Sequence, residues 1–161
     1  LVFLDGLHLY EQTYRDFCNT LLHTHAGSVI VIDDTRPSDA YSAVRDQEQA
    51  VKLRRQELGQ RERAWRRGDL SWHGEVYKVV FAIHDFHPGL DYGTISGSEN
   101  PQTVVWRSRD VGRRPRFDSF ETIGRLTYFD LLAHEDVLRP GSEEEVFDSC
   151  LGSLGCRAPD A

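Results

Sequence analysis

The order of apolar and polar positions divides the chain into strand-like and helix-like stretches. Leu1-Val2-Phe3-Leu4 is an unbroken apolar run that stops at Asp5-Gly6, the pattern of a strand buried on both faces of a parallel sheet. Tyr10, Tyr14, Phe17, Cys18, Leu21 and Leu22 then recur at helical spacing with polar residues between them, which predicts an amphipathic helix closed by His25-Ala26-Gly27. Ser28-Val29-Ile30-Val31-Ile32 is β-branched and unalternating and stops at Asp33-Asp34. Strand, helix and strand in this short span form one βαβ unit with a right-handed crossover.

The following stretch, 35–71, has another character. Pro37, Ser38 and Asp39 open a loop, and Arg45–Arg67 reads as a charged helix with few apolar positions (Val51, Leu53, Leu58, Trp65) and more basic than acidic residues. Such a stretch suits either an anionic partner or a solvated helix with pairs such as Glu57–Arg61. Glu75–Phe86 is a second amphipathic helix with Val76, Val79, Val80 and Ile83 on one face, ended by His87-Pro88-Gly89. Asp91–Ser96 and Gln102–Arg107 predict two strands joined by a short loop, hence an antiparallel hairpin. The region from Val111 is basic and loop-like, followed by helical patterns over Phe120–Leu132 and Glu143–Leu151 and a Gly/Pro-containing tail.

Composition narrows the setting. With 161 residues and 39% apolar content the chain suits one domain with one core and is too apolar for disorder. No apolar run approaches a membrane span, and Leu1–Leu4 lacks the basic flank and cleavage site of a signal peptide, so no membrane partner is expected. Cys18, Cys150 and Cys156 form neither a CxxC pair nor an even disulfide set, which points to a reducing cytoplasm. A net charge of −7 argues against nucleic acid as a partner. The chain has no methionine and opens inside a strand, from which we expect that it was cut from a longer polypeptide. The Leu1 strand would then leave an unpaired sheet edge, and a homo-oligomer is one way to cover it.

The candidate chemistry lies at strand ends. Parallel strands point the same way, so Asp5 and Asp33-Asp34 would meet on one rim, where ligands of such sheets bind, with His8 three residues beyond Asp5. Taken singly, each acid also suits an ordinary strand-to-loop turn. Converging carboxylates repel unless one is protonated or a cation lies between them, and hard oxygen ligands favour Mg²⁺ or a similar divalent ion. The remaining histidines are read more plainly. His23 and His25 flank a helix end, and His73, His84 and His87 fall at helix positions without a paired acid motif. Trp65, Trp72 and Trp106 read as packing residues, with Trp72 close enough to the rim to border a substrate, and Cys18 reads as a buried small apolar residue. Arg113, Arg114 and Arg116 read as an exposed linker.

Three stretches together resemble class I S-adenosylmethionine-dependent methyltransferases, in the bacterial branch related to the catechol-type and macrolide-sugar O-methyltransferases. They are Val2-Phe3-Leu4-Asp5-Gly6-Leu7-His8-Leu9-Tyr10-Glu11, Ala26-Gly27-Ser28-Val29-Ile30-Val31-Ile32-Asp33-Asp34 and Trp72-His73-Gly74-Glu75-Val76-Tyr77-Lys78. The resemblance covers about residues 1–107. It implies an α/β, Rossmann-like sheet of which this chain holds the C-terminal half, strands four to seven with the last antiparallel, plus C-terminal helices. On that reading 1–107 is the methyltransferase half-domain with 35–71 as a charged, lid-like insertion, and 108–161 is a helical extension and tail.

The same resemblance assigns a divalent metal to Asp5, Asp33 and Asp34, cofactor contacts to Asp5, Gly6 and His8, and catalysis to His8 and Asp5. His8 occupies the position of the family's general-base lysine. The family's glycine-rich cofactor loop and its ribose-binding acid have no counterpart in these residues. The implied activity is O-methylation of a small hydroxylated molecule, using S-adenosylmethionine and a metal such as magnesium, with the chain by itself inactive. The alternatives are a non-catalytic methyltransferase-like interaction module and a metal-dependent hydrolase using the same acids.

Overall fold

In the computed structural model, residues 1–57, 72–97, 100–109 and 112–155 are described. The first apolar run forms β1 (Val2–Leu4), the helical repeat forms α1 (Tyr10–Leu22), and the β-branched run forms β2 (Val29–Ile32). Then follow α2 (Gln47–Glu57), α3 (Tyr77–Phe86), β3 (Leu90–Ile95) and β4 (Gln102–Arg107). The C-terminal part holds α4 (Phe120–Gly124), α5 (Tyr128–Ala133), a 3₁₀ turn (Glu135–Leu138), β5 (Pro140–Gly141) and α6 (Glu143–Ser153). The part of the expected charged helix beyond Glu57, with Trp65 and Arg61, lies outside the described residues.

The strands make one mixed five-stranded sheet in the order β1-β2-β4-β3-β5. β1 and β2 are parallel, with Leu4 opposite Ile32, and β4 runs antiparallel to both β2 and β3. The hairpin therefore forms as its short loop predicts, and its return strand inserts between β2 and β3. The fold is α/β with a mixed, Rossmann-like sheet.

Side-chain alternation assigns each face of the sheet. Val2, Ile30, Val105 and Tyr92 form one cross-strand row, and Leu4, Ile32, Thr103 and Thr94 the next. The apolar members of these rows pack into the main core with α1, α3 and residues 120–138. On the opposite face Val104 and Trp106 pack against Val146 and Cys150 of α6. Gly93 permits that approach, because a Cβ there would stand 3.1 Å from Val146 Cγ2.

Several expectations change at this level. β1 is not buried on both faces: Val2 and Leu4 turn to the core, while Phe3 remains 53% exposed. It is an edge strand, and α6 covers β3 and β4 instead. α3 is buried nearly all round rather than on one face, which suits a helix with seven apolar residues in ten. Its one buried cation, Lys78, is satisfied by Glu75 at 2.6 Å and by the Gly124 carbonyl at 2.7 Å. Cys18 is half-buried against the core.

The segment after residue 107 supplies Ile123, Leu131, Val137 and Leu138 to that same core. Arg113 is not a solvated linker residue: it donates to the His87 and Leu90 carbonyls and lies over the Tyr92 ring. Arg116 pairs with Asp136, whereas Arg114 is exposed. Among the described residues no helix is long and apolar enough to cross a membrane.

The core also contains a pH-sensitive contact. The His87 Nε2 lies 3.0 Å from the Tyr14 hydroxyl, and burial, helped by nearby Arg113, lowers the imidazole pKa from its ordinary 6.5. The unfolded chain therefore binds a proton that the folded chain resists. Stability from this site is complete above about pH 6.5 and is lost as the pH falls below that value. Urea unfolding of wild type and His87→Gln at pH 5 and pH 8 should show the smaller pH dependence in the variant.

Candidate functional site

The parallel pairing of β1 and β2 sets the site. Asp33 donates its backbone N–H to the Leu4 carbonyl at 3.0 Å, so both strands end level and their following loops leave side by side. Asp5 and Asp34 thereby reach one rim. Asp34 adopts a left-handed backbone conformation, with φ of 58°. Aspartate tolerates that region better than most residues, and the turn sends consecutive carboxylates in different directions.

The side chain of Asp33 goes to the hairpin. Its Oδ1 accepts hydrogen bonds from Asn100 Nδ2 at 2.8 Å and Gln102 Nε2 at 3.0 Å. Asp34 instead faces His8, whose Nε2 stands 3.0 Å from Asp34 Oδ2 and 3.9 Å from Asp5 Oδ1. The donor atoms of Asp5, His8 and Asp34 all lie within 4.8 Å of one another. The convergent set is thus two acids and an imidazole, rather than the three acids Asp5, Asp33 and Asp34.

His8 is fixed from three sides. Its Nδ1 is 2.6 Å from the Trp72 carbonyl, and its ring stacks on the Trp72 indole at 4.7 Å. Trp72 is itself anchored by donation from Nε1 to the Val44 carbonyl at 2.6 Å. Its place at the rim was within the sequence reading, and its role as the floor for an imidazole was not. The His8 carbonyl accepts from Glu75 N–H at 2.9 Å. Gly74 makes that approach possible, since it has φ of +57° and a Cβ there would stand 2.2 Å from the His8 carbonyl oxygen.

These contacts settle the proton inventory. A carbonyl only accepts, so Nδ1 of His8 must carry the hydrogen that meets Trp72. Nε2, 3.0 Å from Asp34 Oδ2, shares one proton with that carboxyl, donating when the ring is an imidazolium and accepting when Asp34 is protonated. An Nδ1–H anchored on a backbone carbonyl is how proteins fix an imidazole as base or metal ligand. Burial pushes the Asp34 carboxyl up to about 6; His8 pulls the other way, while Asp33 and Asp5 add to the rise.

His73 is the residue that spacing did not reveal. It is 1% exposed, neither ring nitrogen has a hydrogen-bond partner, and Nε2 stands 3.7 Å from Asp34 Oδ1. It also lines a cavity of about 240 Å³ beside the rim. Burial, then the proximity of His8, lowers its pKa. Nor is His84 without an acid, since its Nδ1 is 2.5 Å from Asp85 Oδ1; that pair serves structure, because Asp85 also accepts from the Arg116 and Phe117 N–H groups. His25 caps its own turn through Gly27 N–H.

The donor set fits a divalent cation. Two carboxylates relieve their repulsion on it, His8 offers an oriented lone pair, and Asp5, with its side chain 54% exposed, leaves one side open. The imidazole moves the preference from magnesium toward ions that accept mixed N/O ligands, such as Mn²⁺, Fe²⁺ or Zn²⁺. S-adenosylmethionine fits less well. Among the described residues Asp5 and Gly6 are exposed and His8 is half-buried, and a Cβ on Gly6 would meet only Asp16 Oδ2 at 3.7 Å.

No protein-family model, curated protein or solved structure matches this chain.

Proposed function

We propose that this chain carries the acceptor side of a metal-assisted O-methyltransferase acting on a small hydroxylated molecule. The observation that carries the reading is His8, held by Trp72 with its Nε2 3.0 Å from Asp34 Oδ2 and 3.9 Å from Asp5 Oδ1. Its sheet supports the same reading: two parallel strands ending level, then a hairpin whose last strand is antiparallel. Asp5, Gly6 and His8 border the place of the methyl donor without completing it.

In this reading a divalent ion held by Asp5, His8 and Asp34 would lower the pKa of an acceptor hydroxyl. Asp34 would orient that hydroxyl, and the second oxygen of the exposed Asp5 carboxylate, the one not holding the ion, would take its proton when His8 is occupied as a ligand. With no ion held, His8 Nε2 itself accepts the proton, and Trp72 keeps the ring from turning away. Positioning supplies much of the rate, because the oxygen nucleophile must approach the methyl carbon nearly in line.

One observation favours a second reading. Two acids and a histidine with an open side also form the three-ligand pattern of metal-dependent hydrolases, in which the activated oxygen belongs to water. One assay separates the two. The protein with MnCl₂ is given labelled S-adenosylmethionine and a panel of hydroxylated acceptors, and in parallel p-nitrophenyl esters and phosphates. Because Asp5, Gly6 and His8 do not complete a methyl-donor site, this chain alone should transfer no methyl group, and the expected result is Mn²⁺ binding, without ester or phosphate cleavage, that weakens about 10–100-fold in His8→Ala. Cofactor-independent ester or phosphate cleavage with the same His8 dependence would install the hydrolase instead. Neither activity, together with no ion binding, would leave a non-catalytic module.

A further inference from the structure

The two halves of the sheet's outer face differ. Phe3, Val31, Val104 and Gly93 form one row across that face, and Val29, Trp106 and Asp91 the next. Among the described residues, α6 lies across β3 and β4 and packs Val146 and Cys150 against Val104 and Trp106. Over β1 and β2 the same rows carry Phe3, which stays exposed, and Val29 and Val31, which are half-buried.

α6 turns an apolar flank to that open half. Successive residues of a helix are about 100° apart, so Glu145 and Phe147 lie on opposite flanks when Val146 faces the sheet. Glu145 and Ser149 line a hollow with Arg139, Pro140 and Gly141, which sets their flank toward β5. Phe147 and Leu151 therefore look toward β2 and β1, where they remain 38% and 42% exposed. Leu154, on the same flank, packs against the small cluster that Val29 and Val31 also join. Phe3, Val29 and Val31 make the floor of a groove, and Phe147, Leu151 and Leu154 its wall. Strands lie about 4.8 Å apart and packed helices about 10 Å apart, so one helix beside α6 would sit above β1 and β2. Exposed apolar side chains gathered on one face mark a contact surface.

The charges around the groove select its occupant. Asp5 and Asp33 follow β1 and β2, and α6 begins at that same end with Glu143 and Glu144, because β5 pairs in parallel with the end of β3 and leads directly into it. At the opposite end Arg107 closes β4 and donates to the Leu21 carbonyl and the Thr24 hydroxyl. A helix running antiparallel to β1 and β2 would set its positive N-terminal end among the acids and its negative end near Arg107. A second copy of the chain suits the groove poorly. The outward side of its α6 carries Glu144 and Asp148, each about 200° round from Val146, and would bury both carboxylates against Phe3 and Val31.

We propose that this groove docks one amphipathic helix of a basic partner protein, with its apolar stripe on Phe3, Val31, Phe147 and Leu151 and its N-terminal turn at the end marked by Asp33, Glu143 and Glu144. The inference stands apart from the chemistry of the Asp5–His8–Asp34 rim.

The test uses the whole chain and two synthetic helical peptides of about 15 residues, followed by fluorescence anisotropy. Both carry the same Leu/Ile stripe, and their charged positions are Lys in one and Glu in the other. The Lys peptide should bind at least about tenfold more tightly than the Glu peptide, by a margin that narrows as salt is raised. Its binding should weaken at least about tenfold in Phe3→Ser and in Leu151→Ser. It should stay unchanged in Leu22→Ser, a more exposed apolar residue at the end of α1. Urea denaturation should find all three variants folded, since each replaces an exposed side chain. A photoreactive group on the N-terminus of the Lys peptide should label residues around Asp33 and Glu143, and one on its C-terminus residues around Arg107. Failure of both peptides to bind, equal binding of the two, or Lys-peptide binding unchanged in both groove variants would overturn the proposal. So would sedimentation of the chain alone as a dimer that Leu151→Ser dissociates, which would seat a second copy in the groove.

Discussion

Gly74→Ala is expected to unfold the protein or leave it severely destabilised, with the loss of any binding at the Asp5–His8–Asp34 rim. Two costs combine. A residue bearing a Cβ at φ of +57° costs about 1–2 kcal/mol. The added carbon would also stand 2.2 Å from the His8 carbonyl oxygen and 2.7 Å from His8 Cβ. Neither neighbour is a flexible side-chain tip. The carbonyl accepts from Glu75 N–H, and His8 is fixed by Trp72. Relief therefore requires separating the β1–α1 loop from the start of α3, which also carries the Glu75–Lys78 pair. A total loss above about 4 kcal/mol follows, a large share of the roughly 5–15 kcal/mol that stabilises a domain. Gly152→Ala provides the control: in α6, with no atom within 4 Å of the new carbon, it should gain about 0.5–1 kcal/mol. Urea denaturation of both variants measures the contrast, and a Gly74→Ala protein of wild-type stability would refute the described packing of His8.

Much of the frame was legible from local pattern, because periodicity and turn residues report neighbouring positions. Leu1–Leu4, Tyr10–Leu22 and Val29–Ile32 gave strand, helix and strand, and the loop before Gln102 gave the hairpin. What the pattern could not report depends on partners distant in the chain. Phe3 reads as buried until β1 is known to lie at an edge with α6 elsewhere. Arg113 reads as linker because nothing near it in sequence shows the His87 and Leu90 carbonyls it will meet. β5 is only Pro140–Gly141, too short to carry a pattern.

The site divides in the same way. That Asp5 and the end of β2 share a rim follows from parallel pairing, but which of Asp33 and Asp34 faces it turns on one left-handed torsion. His73 carried no spacing signal. Its position beside Gly74, in a stretch that crosses the β1–α1 loop, was the available hint.

Those adjacent acids give the second large prediction. Asp34→Asn should weaken Mn²⁺ binding by about 100-fold or more, while Asp33→Asn leaves it within a few-fold, when both are titrated calorimetrically. Asp34 is one of three converging donors, and its charge is held among Asp5 and Asp33 at a cost that a cation relieves. Asp33 adds to that cost through its charge, but its carboxylate already accepts from two side-chain amides and lies outside the three converging donors. Stability should move in the opposite sense. Without an ion Asp34→Asn removes a buried charge that Asp33 and Asp5 repel, and its new N–H₂ can donate to His8 Nε2; asparagine also accepts the left-handed backbone. That variant should therefore unfold no more easily than wild type. Asp33→Asn keeps an Oδ1 that accepts from Asn100 and Gln102, loses only the charge on that acceptor, and should cost less than about 1 kcal/mol. With ion at 100 times its dissociation constant, wild type and Asp33→Asn should each gain about 2.7 kcal/mol, and Asp34→Asn almost nothing. Equal loss of binding in both variants would restore the three-acid site, and no loss in either would dismiss the ion altogether.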